Sequence, residues 1–220
     1  VTITITNVAD DWVQRGADID GEAHSNYSGK SLSLSSDGDT VAIGAPGNQG
    51  ENGNYDQFGG GSSGHVRIYD WNGSAWEQRG ADIDGEESGD ESGGSVSIGN
   101  DGNTVAIGAT QNDGTGGYGN NSGHVRIYDW NGSAWDQRGA DIDEEEGRKY
   151  SGGSVSPSSD GDTVAIGTGL WGGSGTVEPH GRVRVFDWNG SAWVSRSSFL
   201  NSGPSASTVS LSNGGDTVVT

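Results

Sequence analysis

Short runs in which apolar residues alternate with small polar residues recur along the chain. They read SLSLS at 31–35, SVSIG at 95–99 and SVSPS at 154–158, and each is followed by TVAIG, at 40–44, 104–108 and 163–167. Alternation with a period of two is typical of a β-strand with one buried face. These runs therefore predict the first two strands of a unit that occurs three times.

Each unit continues with two further predicted strands. The third reads HVRIYDW at 65–71 and 124–130 and RVRVFDW at 182–188, and the fourth reads AWEQRGADI at 75–83, with copies in the later units. Asn-Gly separates them at 72–73, 131–132 and 189–190. Asn-Gly indicates a tight hairpin turn in which both residues take positive φ. We therefore expect hairpins whose turns are flanked by packed tryptophans, such as Trp71 and Trp76.

Four strands repeated at roughly 60 residues predict an all-β fold, a β-propeller of four-stranded antiparallel blades. The predicted blades span about 29–84, 93–143 and 152–199, with half-blades at 1–20, which includes VTITIT (1–6), and at 205–220. We expect the halves to pair within one chain and close a four-bladed domain, which removes both exposed edges. Two alternatives stay open: the chain is part of a larger propeller, or the halves pair between neighbouring molecules.

Composition narrows the classes of partner. The chain carries 31 Asp and Glu against 11 Lys and Arg, for a net charge of −20, and 42 of its 220 residues are glycine. Nucleic-acid binding needs basic residues that neutralise phosphates, so we expect no nucleic-acid partner. No apolar run approaches the roughly 20 residues of a membrane helix, so we expect no membrane insertion. The chain has no cysteine, which excludes disulfides and thiolate metal sites.

The motif S-V/L-S…D-G-[DN]-T-V-A-I-G-A-P, best preserved at 31–46, resembles the FG-GAP repeat of integrin-α-type β-propellers. SGHVRIYDWNGSAW is also similar to FG-GAP-like proteins of microbes and algae. The resemblance implies extracellular adhesion or binding, often with calcium held between the first two strands. Here that loop shrinks to SDGD (36–39), NDGN (100–103) and SDGD (159–162). Because calcium takes six to eight oxygen ligands, we expect plain β-turns at these positions.

An acidic D-x-D-x-E pattern follows the fourth strand and is the best candidate metal site. Residues two apart at a strand end point the same way, so their carboxylates can converge. Hard oxygen ligands suit calcium, which is the cofactor we expect here. The alternative is a solvated acidic rim that keeps the protein soluble. The candidate ligands are Asp18, Asp20, Glu22, Asp82, Asp84, Glu86, Asp141, Asp143 and Glu145.

The repeated basic residues predict structural roles. Arg15, Arg79 and Arg138 occupy matching positions, and we expect them to stack on aromatic rings and to pair with aspartates between blades. His65 and His124 also match each other, but the third unit has Arg182 in their place. A metal-ligand role would not survive that replacement in every blade, so the pattern favours a structural role for both histidines.

The long loops between the second and third strands carry aromatic residues among Asn, Asp and Gly. Exposed rings in such surroundings suit carbohydrate stacking or protein contacts, and the alternative is that they fold back over the blade ends. The candidate ligand-binding residues are Tyr55, Phe58, Tyr118 and Trp171, and the candidate glycosylation acceptors are Asn26 and Asn120.

Two functions follow from these patterns. The first is a non-enzymatic binding or adhesion module at the cell surface or outside the cell, which recognises glycan or protein through its acidic loops, with calcium. The alternative is a structural subunit that self-assembles through its terminal half-blades. Ser, His and carboxylate residues form no recognisable catalytic pattern, so we expect no enzymatic activity.

Overall fold

The computed structural model describes residues 13–49, 61–114, 121–144, 150–168, 182–196, 200–201 and 208–220. VTITIT, and with it most of the N-terminal half-blade, lies outside these ranges. The described residues form β-strands joined by turns, and they contain no helix long and apolar enough to cross a membrane.

Each repeat forms one antiparallel sheet in chain order. The first contains β1 (Ser31–Leu34), β2 (Thr40–Ala45), β3 (His65–Trp71), β4 (Trp76–Gln78) and β5 (Ile83–Asp84). The second contains β6 (Ser95–Ile98), β7 (Thr104–Ala109), β8 (His124–Trp130), β9 (Trp135–Gln137) and β10 (Ile142–Asp143). The third contains β11 (Ser151–Pro157), β12 (Thr163–Thr168), β13 (Arg182–Trp188), β14 (Trp193–Ser195) and β15 (Leu200–Asn201). A final pair, β16 (Ser210–Leu211) and β17 (Val218–Val219), supplies the first two strands of a fourth sheet.

The sheets stack face to face, and this stacking forms the core. Val96 and Ile98 of β6 are buried with Ala42, Val66 and Ile68 of the preceding sheet. At the next interface Val155 of β11 is buried with Ala106, Val125 and Ile127, and at the last one Val209, next to β16, is buried with Ala165, Val183 and Val185. A single four-stranded sheet exposes both faces, so each unit depends on its neighbours to exclude water.

The first strand of every sheet contacts the first strand of the next, which places these strands around a common axis. The small polar residues of the alternating runs link them. Ser33 Oγ accepts a hydrogen bond from the Ile98 amide, and Ser154 Oγ accepts one from the Val209 amide, at 2.9 and 3.0 Å. This radial arrangement is that of a β-propeller with four-stranded antiparallel blades, and three blades plus the C-terminal pair are consistent with a four-bladed ring.

The Asn-Gly hairpins differ from the prediction. Gly73 has a φ of +98°, but Asn72 is not among the residues with positive φ. The loop has four residues, from Asn72 to Ala75, and Asn72 Oδ1 accepts hydrogen bonds from the amides of Ser74 and Ala75. The hydrogen bonds that the Asn72 side chain accepts stabilise the turn without a second residue of positive φ. The expected turn with two positive φ values was wrong. The flanking rings do pack, with the Trp71 and Trp76 centroids 5.4 Å apart.

The fourth predicted strand is interrupted. β4 ends at Gln78 and β5 begins at Ile83, and between them the Arg79 amide still donates to the Ile68 carbonyl of β3 at 2.7 Å. The Arg79 guanidinium lies 4.8 Å from the Trp130 ring of the next blade and donates to the Gly102 carbonyl, while Trp135 Nε1 donates to the Arg79 carbonyl at 2.8 Å. Arg15, the counterpart of Arg79 in the preceding repeat, makes the same contact with Trp71, at 4.7 Å from the ring centroid. The expected stacking of arginine between blades is confirmed at these positions.

The turns between first and second strands are local structures, as expected. Asp37 Oδ1 accepts from the Asp39 amide at 3.0 Å and from Ser35 Oγ at 2.6 Å, and Gly38 takes a φ of +74°. Asp160 makes the same two contacts in the third blade. The carboxylate of each turn is therefore engaged by its own turn.

Candidate functional site

The described parts of the loops after the fourth strands and after the second strands lie at one end of the blades, which we call the acidic face. Two groups of side chains meet there at the junctions between successive blades. We call them the first junction cluster (Glu22, His65 and Asp82) and the second junction cluster (Glu86, His124 and Asp141). In each group one ligand atom per residue lies within 4.8 Å of the others.

The histidine of each cluster begins a buried third strand. His65 is the first residue of β3 and His124 is the first residue of β8, and both side chains are almost completely buried. Backbone pairing places each histidine opposite an aspartate of the short outer strand, Asp84 for His65 and Asp143 for His124. The imidazoles are thus held rigidly by the sheet, whereas the carboxylates lie on loops.

Distances in the two clusters are similar. His65 Nδ1 lies 3.3 Å from Asp82 Oδ2 and 3.9 Å from Glu22 Oε2. His124 Nδ1 lies 3.7 Å from Asp141 Oδ2, 3.9 Å from Glu86 Oε2 and 4.0 Å from Asp143 Oδ1. Each cluster thus joins a glutamate from one acidic loop to an aspartate from the acidic loop of the next repeat.

An arginine lies beside each cluster. Arg67 Nη1 is 3.8 Å from Glu22 Oε1, and Arg126 Nη1 is 3.7 Å from Glu86 Oε1. Both guanidinium groups also donate to a backbone carbonyl of the preceding acidic loop, Asp20 or Asp84, at 2.8 Å. The arginines therefore position these loops and neutralise part of the carboxylate charge.

Burial dominates the electrostatics of the second cluster. Burial lowers the pKa of His124 to about 4, with Arg126 acting in the same direction and Asp141 opposing both. Burial also raises the pKa of Glu86, where Arg126 opposes and Asp141 adds to the increase. In the first cluster burial lowers the pKa of His65, although Asp82 and Glu22 oppose the shift. Both imidazoles are therefore neutral at pH 7, with a lone pair on one ring nitrogen.

Each cluster opens into a recess. The first recess, of about 860 Å³, is lined by polar residues that include His24, Asn26 and Asn48 besides the cluster itself. The second, of about 370 Å³, is lined by Glu87, Asn112 and Asp113 with Glu86 and Asp141. Asn48 Nδ2 donates to Glu22 Oε2 at 3.1 Å, which fixes that carboxylate at the recess wall. The recesses offer carboxylate and amide groups to a polar ligand.

The predicted calcium ligands of one loop do not all lie together in the structure. Asp18 accepts from Gln14 Nε2 at 2.7 Å, and it forms no part of the two clusters found among the described residues. Glu22 meets Asp82, and Glu86 meets Asp141, so the carboxylates that converge come from different repeats. Asp143 reaches the second cluster through His124, whereas Glu145 lies outside the described residues. Asp141 and Asp143 of the same loop also converge, since both lie within 4.0 Å of His124 Nδ1. Convergence within one loop therefore occurs at the second cluster, and calcium binding by these residues stays a prediction.

Sequence reasoning missed His65 and His124 as site residues. Their replacement by Arg182 in the third blade argued against a shared role. The pattern that could have identified them is a histidine at the start of a buried strand, opposite an acidic strand end, in two repeats. Both features are visible in the sequence once the strands are aligned.

The remaining predicted site residues have different outcomes. Tyr55, Phe58, Tyr118, Trp171 and Asn120 lie outside the described residues, and their roles stay predictions. Asn26 is 8% exposed and lines the first recess. Its role as a glycosylation acceptor stays a prediction.

Comparisons with known proteins support the fold. No protein-family model matches the chain, and no curated protein does. Among solved structures, 86% of the chain aligns with 45% of a candidate 6-phosphogluconolactonase from Bacteroides uniformis, at 10% identity and a TM-score of 0.53. A Dos1 propeller aligns over 85% of the chain and 40% of its own (14% identity, TM-score 0.46), and Sqt1 from Saccharomyces cerevisiae over 81% and 37% (13% identity, TM-score 0.46). The chain spans less than half the length of each of these structures, and likeness at such identities concerns the fold alone.

Proposed function

We propose that this protein is a non-enzymatic binding module, located outside the cell or at its surface, that recognises glycan or protein through its acidic face. The observation that carries the proposal is the pair of junction clusters, each at the wall of an open polar recess. Because the repeat places similar groups at successive junctions, a repetitive ligand can contact several of them at once. Such multivalent contact raises overall affinity without new chemistry at any one site.

We propose that recognition depends on calcium. The face carries the carboxylates of the acidic loops, and calcium prefers such oxygen ligands. The resemblance of the repeat to FG-GAP propellers supports the same function, since that family combines adhesion with calcium. In this proposal a bound cation neutralises part of the acidic face and offers open coordination positions to ligand hydroxyl or carboxylate groups.

The test is a glycan array and a panel of immobilised extracellular-matrix proteins, probed with calcium and again with EDTA. We expect binding that is lost with EDTA and is at least tenfold weaker in Asp82→Asn. The matched control is Glu77→Gln, which removes one negative charge at the opposite end of the blade, where Glu77 accepts a hydrogen bond from Asn72 Nδ2 at 2.7 Å. Binding that is equally strong in Asp82→Asn and in EDTA would reject the acidic face as the calcium-dependent binding surface.

A specific observation favours a second candidate function, a structural subunit joined through its terminal half-blades. Leu32 and Leu34 of β1 are 62% and 59% exposed, whereas the matching Val96 and Ile98 are buried against the preceding blade. At the other end, Val219 is 66% exposed, whereas the matching Ala42 is fully buried. In the repeat a first-strand face packs on a second-strand face, so the face of one molecule that carries Leu32 and Leu34 fits the face of a neighbouring molecule that carries Val219.

A further inference from the structure

We infer that the two junction clusters bind a divalent transition-metal ion of the Zn²⁺ type, with Nδ1 of His65 or His124 as one ligand and the two cluster carboxylates as the others. This inference does not depend on the proposed recognition of glycan or protein. It also differs from the calcium proposal, because it assigns a ligand role to the imidazole.

The first argument is the state of the buried imidazole. His124 is 1% exposed, and neither of its ring nitrogens has a hydrogen-bond partner among the described residues. Buried polar groups are nearly always satisfied, and one that is not costs stability. Nδ1 faces carboxylate oxygens at 3.7–4.0 Å, which is too long for a hydrogen bond. A cation placed between these groups would satisfy the nitrogen and the oxygens together.

The second argument is geometry. Ligand atoms that lie about 2.0–2.1 Å from a tetrahedral zinc ion are about 3.4 Å from one another. His65 Nδ1 and Asp82 Oδ2 are 3.3 Å apart, which already matches this spacing. The glutamates are 3.9 Å from Nδ1 and must move inward by several tenths of an ångström. Their side chains are 43–45% exposed and lie on loops, so the movement is a small side-chain adjustment, which at Glu22 must keep or exchange the hydrogen bond from Asn48.

The third argument is the ligand set. An imidazole nitrogen suits zinc and its neighbours in the first transition row, whereas calcium selects oxygen ligands. One histidine and two carboxylates supply three protein ligands and leave a fourth position open towards the recess, as in sites that bind a further molecule. The class of metal therefore follows from the histidine, which the acidic pattern alone does not include.

The third blade junction supports the same assignment. Arg182 stands where the first two repeats have histidine. A permanently charged side chain thus occupies the position where the other two junctions have a neutral imidazole among carboxylates. The chain supplies its own cation at one junction, and the inference assigns an external cation to the two others.

The experiment measures Zn²⁺ binding to the full chain after treatment with EDTA and its removal. Equilibrium dialysis with metal analysis gives the stoichiometry, and the thermal midpoint reports binding to the folded state. We expect about two Zn²⁺ per wild-type chain, and loss of one site in His124→Gln, in Asp141→Asn and in His65→Gln. Loss of a ligand should weaken the affected site by about 100-fold or more, since removal of a group that merely hydrogen-bonds to a ligand already costs about 10- to 100-fold in affinity.

Asp141→Asn changes a partly exposed loop residue, so it remains informative if His124→Gln fails to fold. Glu77→Gln is the matched charge control and should retain two sites. Zinc stoichiometry that is the same in all variants would mean surface binding and would overturn the inference. Calcium binding that survives His124→Gln, without saturable zinc binding below 100 µM, would overturn it while leaving the calcium proposal intact.

Discussion

At the scale of single residues, glycine decides how closely two blades approach. Gly80 takes a φ of +80°, and a Cβ added there would lie 2.8 Å from Cζ3 of Trp130 in the next blade. Gly16 and Gly139 meet Trp71 and Trp188 in the same way. The repeated Arg-Gly pair therefore serves both the backbone conformation and the ring contact, which explains why the fourth strand is interrupted there.

Gly80→Ala should destabilise the protein more than Gly73→Ala. Both positions have positive φ, which costs an alanine about 1–2 kcal/mol. Only at Gly80 does the new methyl group collide with a neighbouring blade, whereas at Gly73 nothing lies within 4 Å. Urea denaturation followed by tryptophan fluorescence measures both free energies of unfolding. Equal losses would show that the Trp130 ring moves aside at no cost.

For the two buried histidines, the role of the side chain depends on its surroundings, which the residue type does not reveal. A histidine at the start of a strand can be a packing residue or a ligand, and the residue type does not distinguish the two. Only the surroundings of His124, with three carboxylates within 4.0 Å and no hydrogen-bond partner among the described residues, indicate a ligand.

At the scale of elements, the turns between first and second strands carry a pH dependence. Hydrogen bonds from Ser35 and from the Asp39 amide hold the pKa of Asp37 below its model-peptide value of 3.8. Ser158 and the Asp162 amide do the same for Asp160. A carboxyl with a lowered folded-state pKa stabilises the protein above its unfolded pKa, and this stabilisation disappears as the pH falls through the folded value.

Asp160→Asn should therefore flatten the decline in stability that begins near pH 4 and continues below it. Asparagine keeps an oxygen that accepts the same two hydrogen bonds, but it cannot be protonated in this range. We expect the variant to be less stable than the wild type at pH 7, because the charged acceptor bonds more strongly. Thermal midpoints between pH 7 and pH 2.5 measure the effect. Parallel curves for the two proteins would contradict it.

The elements themselves were largely predictable. The first three strands of each blade lie at the alternating apolar and polar runs and at the TVAIG and HVRIYDW runs. This was predictable because the period-two pattern of a strand depends only on residues that are close together in the chain. The Asn-Gly hairpin was correct as a hairpin and wrong in its turn, since the Asn72 side chain supplies hydrogen bonds that a list of turn types does not anticipate.

At the scale of the whole molecule, the first blade and the C-terminal strand pair leave apolar residues exposed on their outer faces. Each internal interface buries at least one apolar residue of a first strand, namely Val96 with Ile98, Val155 or Val209, yet Leu32 and Leu34 remain exposed. Ile19, which matches Ile83 in the repeat, does pack on this blade with Trp76, against Val41, Ile43 and Tyr69, although residues 13–20 form no strand. The face that carries Leu32 and Leu34 is covered by the C-terminal half of the same chain if the ring closes within one molecule. It is covered by a neighbouring molecule if the half-blades pair between molecules.

The variant Leu32→Asp distinguishes closure within one molecule from assembly between molecules in solution. If the terminal faces pair between molecules, sedimentation velocity of the wild type should show species that grow with concentration, and the variant should remain monomeric. Val194→Asp is the matched control, since Val194 is an exposed apolar residue of the outer strand β14. A wild type that is monomeric at every concentration would reject the assembly and leave the binding module as the function to pursue.

The sequence by itself determined the repeat, the order of the strands, the acidic character of one face and the location of its turns. These features depend on residues close together in the chain, whose periodicity and hydrogen bonding are local. Only the tertiary structure decided which acidic residues meet. Glu22 and Asp82 are a whole repeat apart, and they converge on His65 because successive blades stack around a common axis. That stacking is driven by burial of apolar faces, a force without direction, so the pattern of charges alone could not reveal the contacts that it creates.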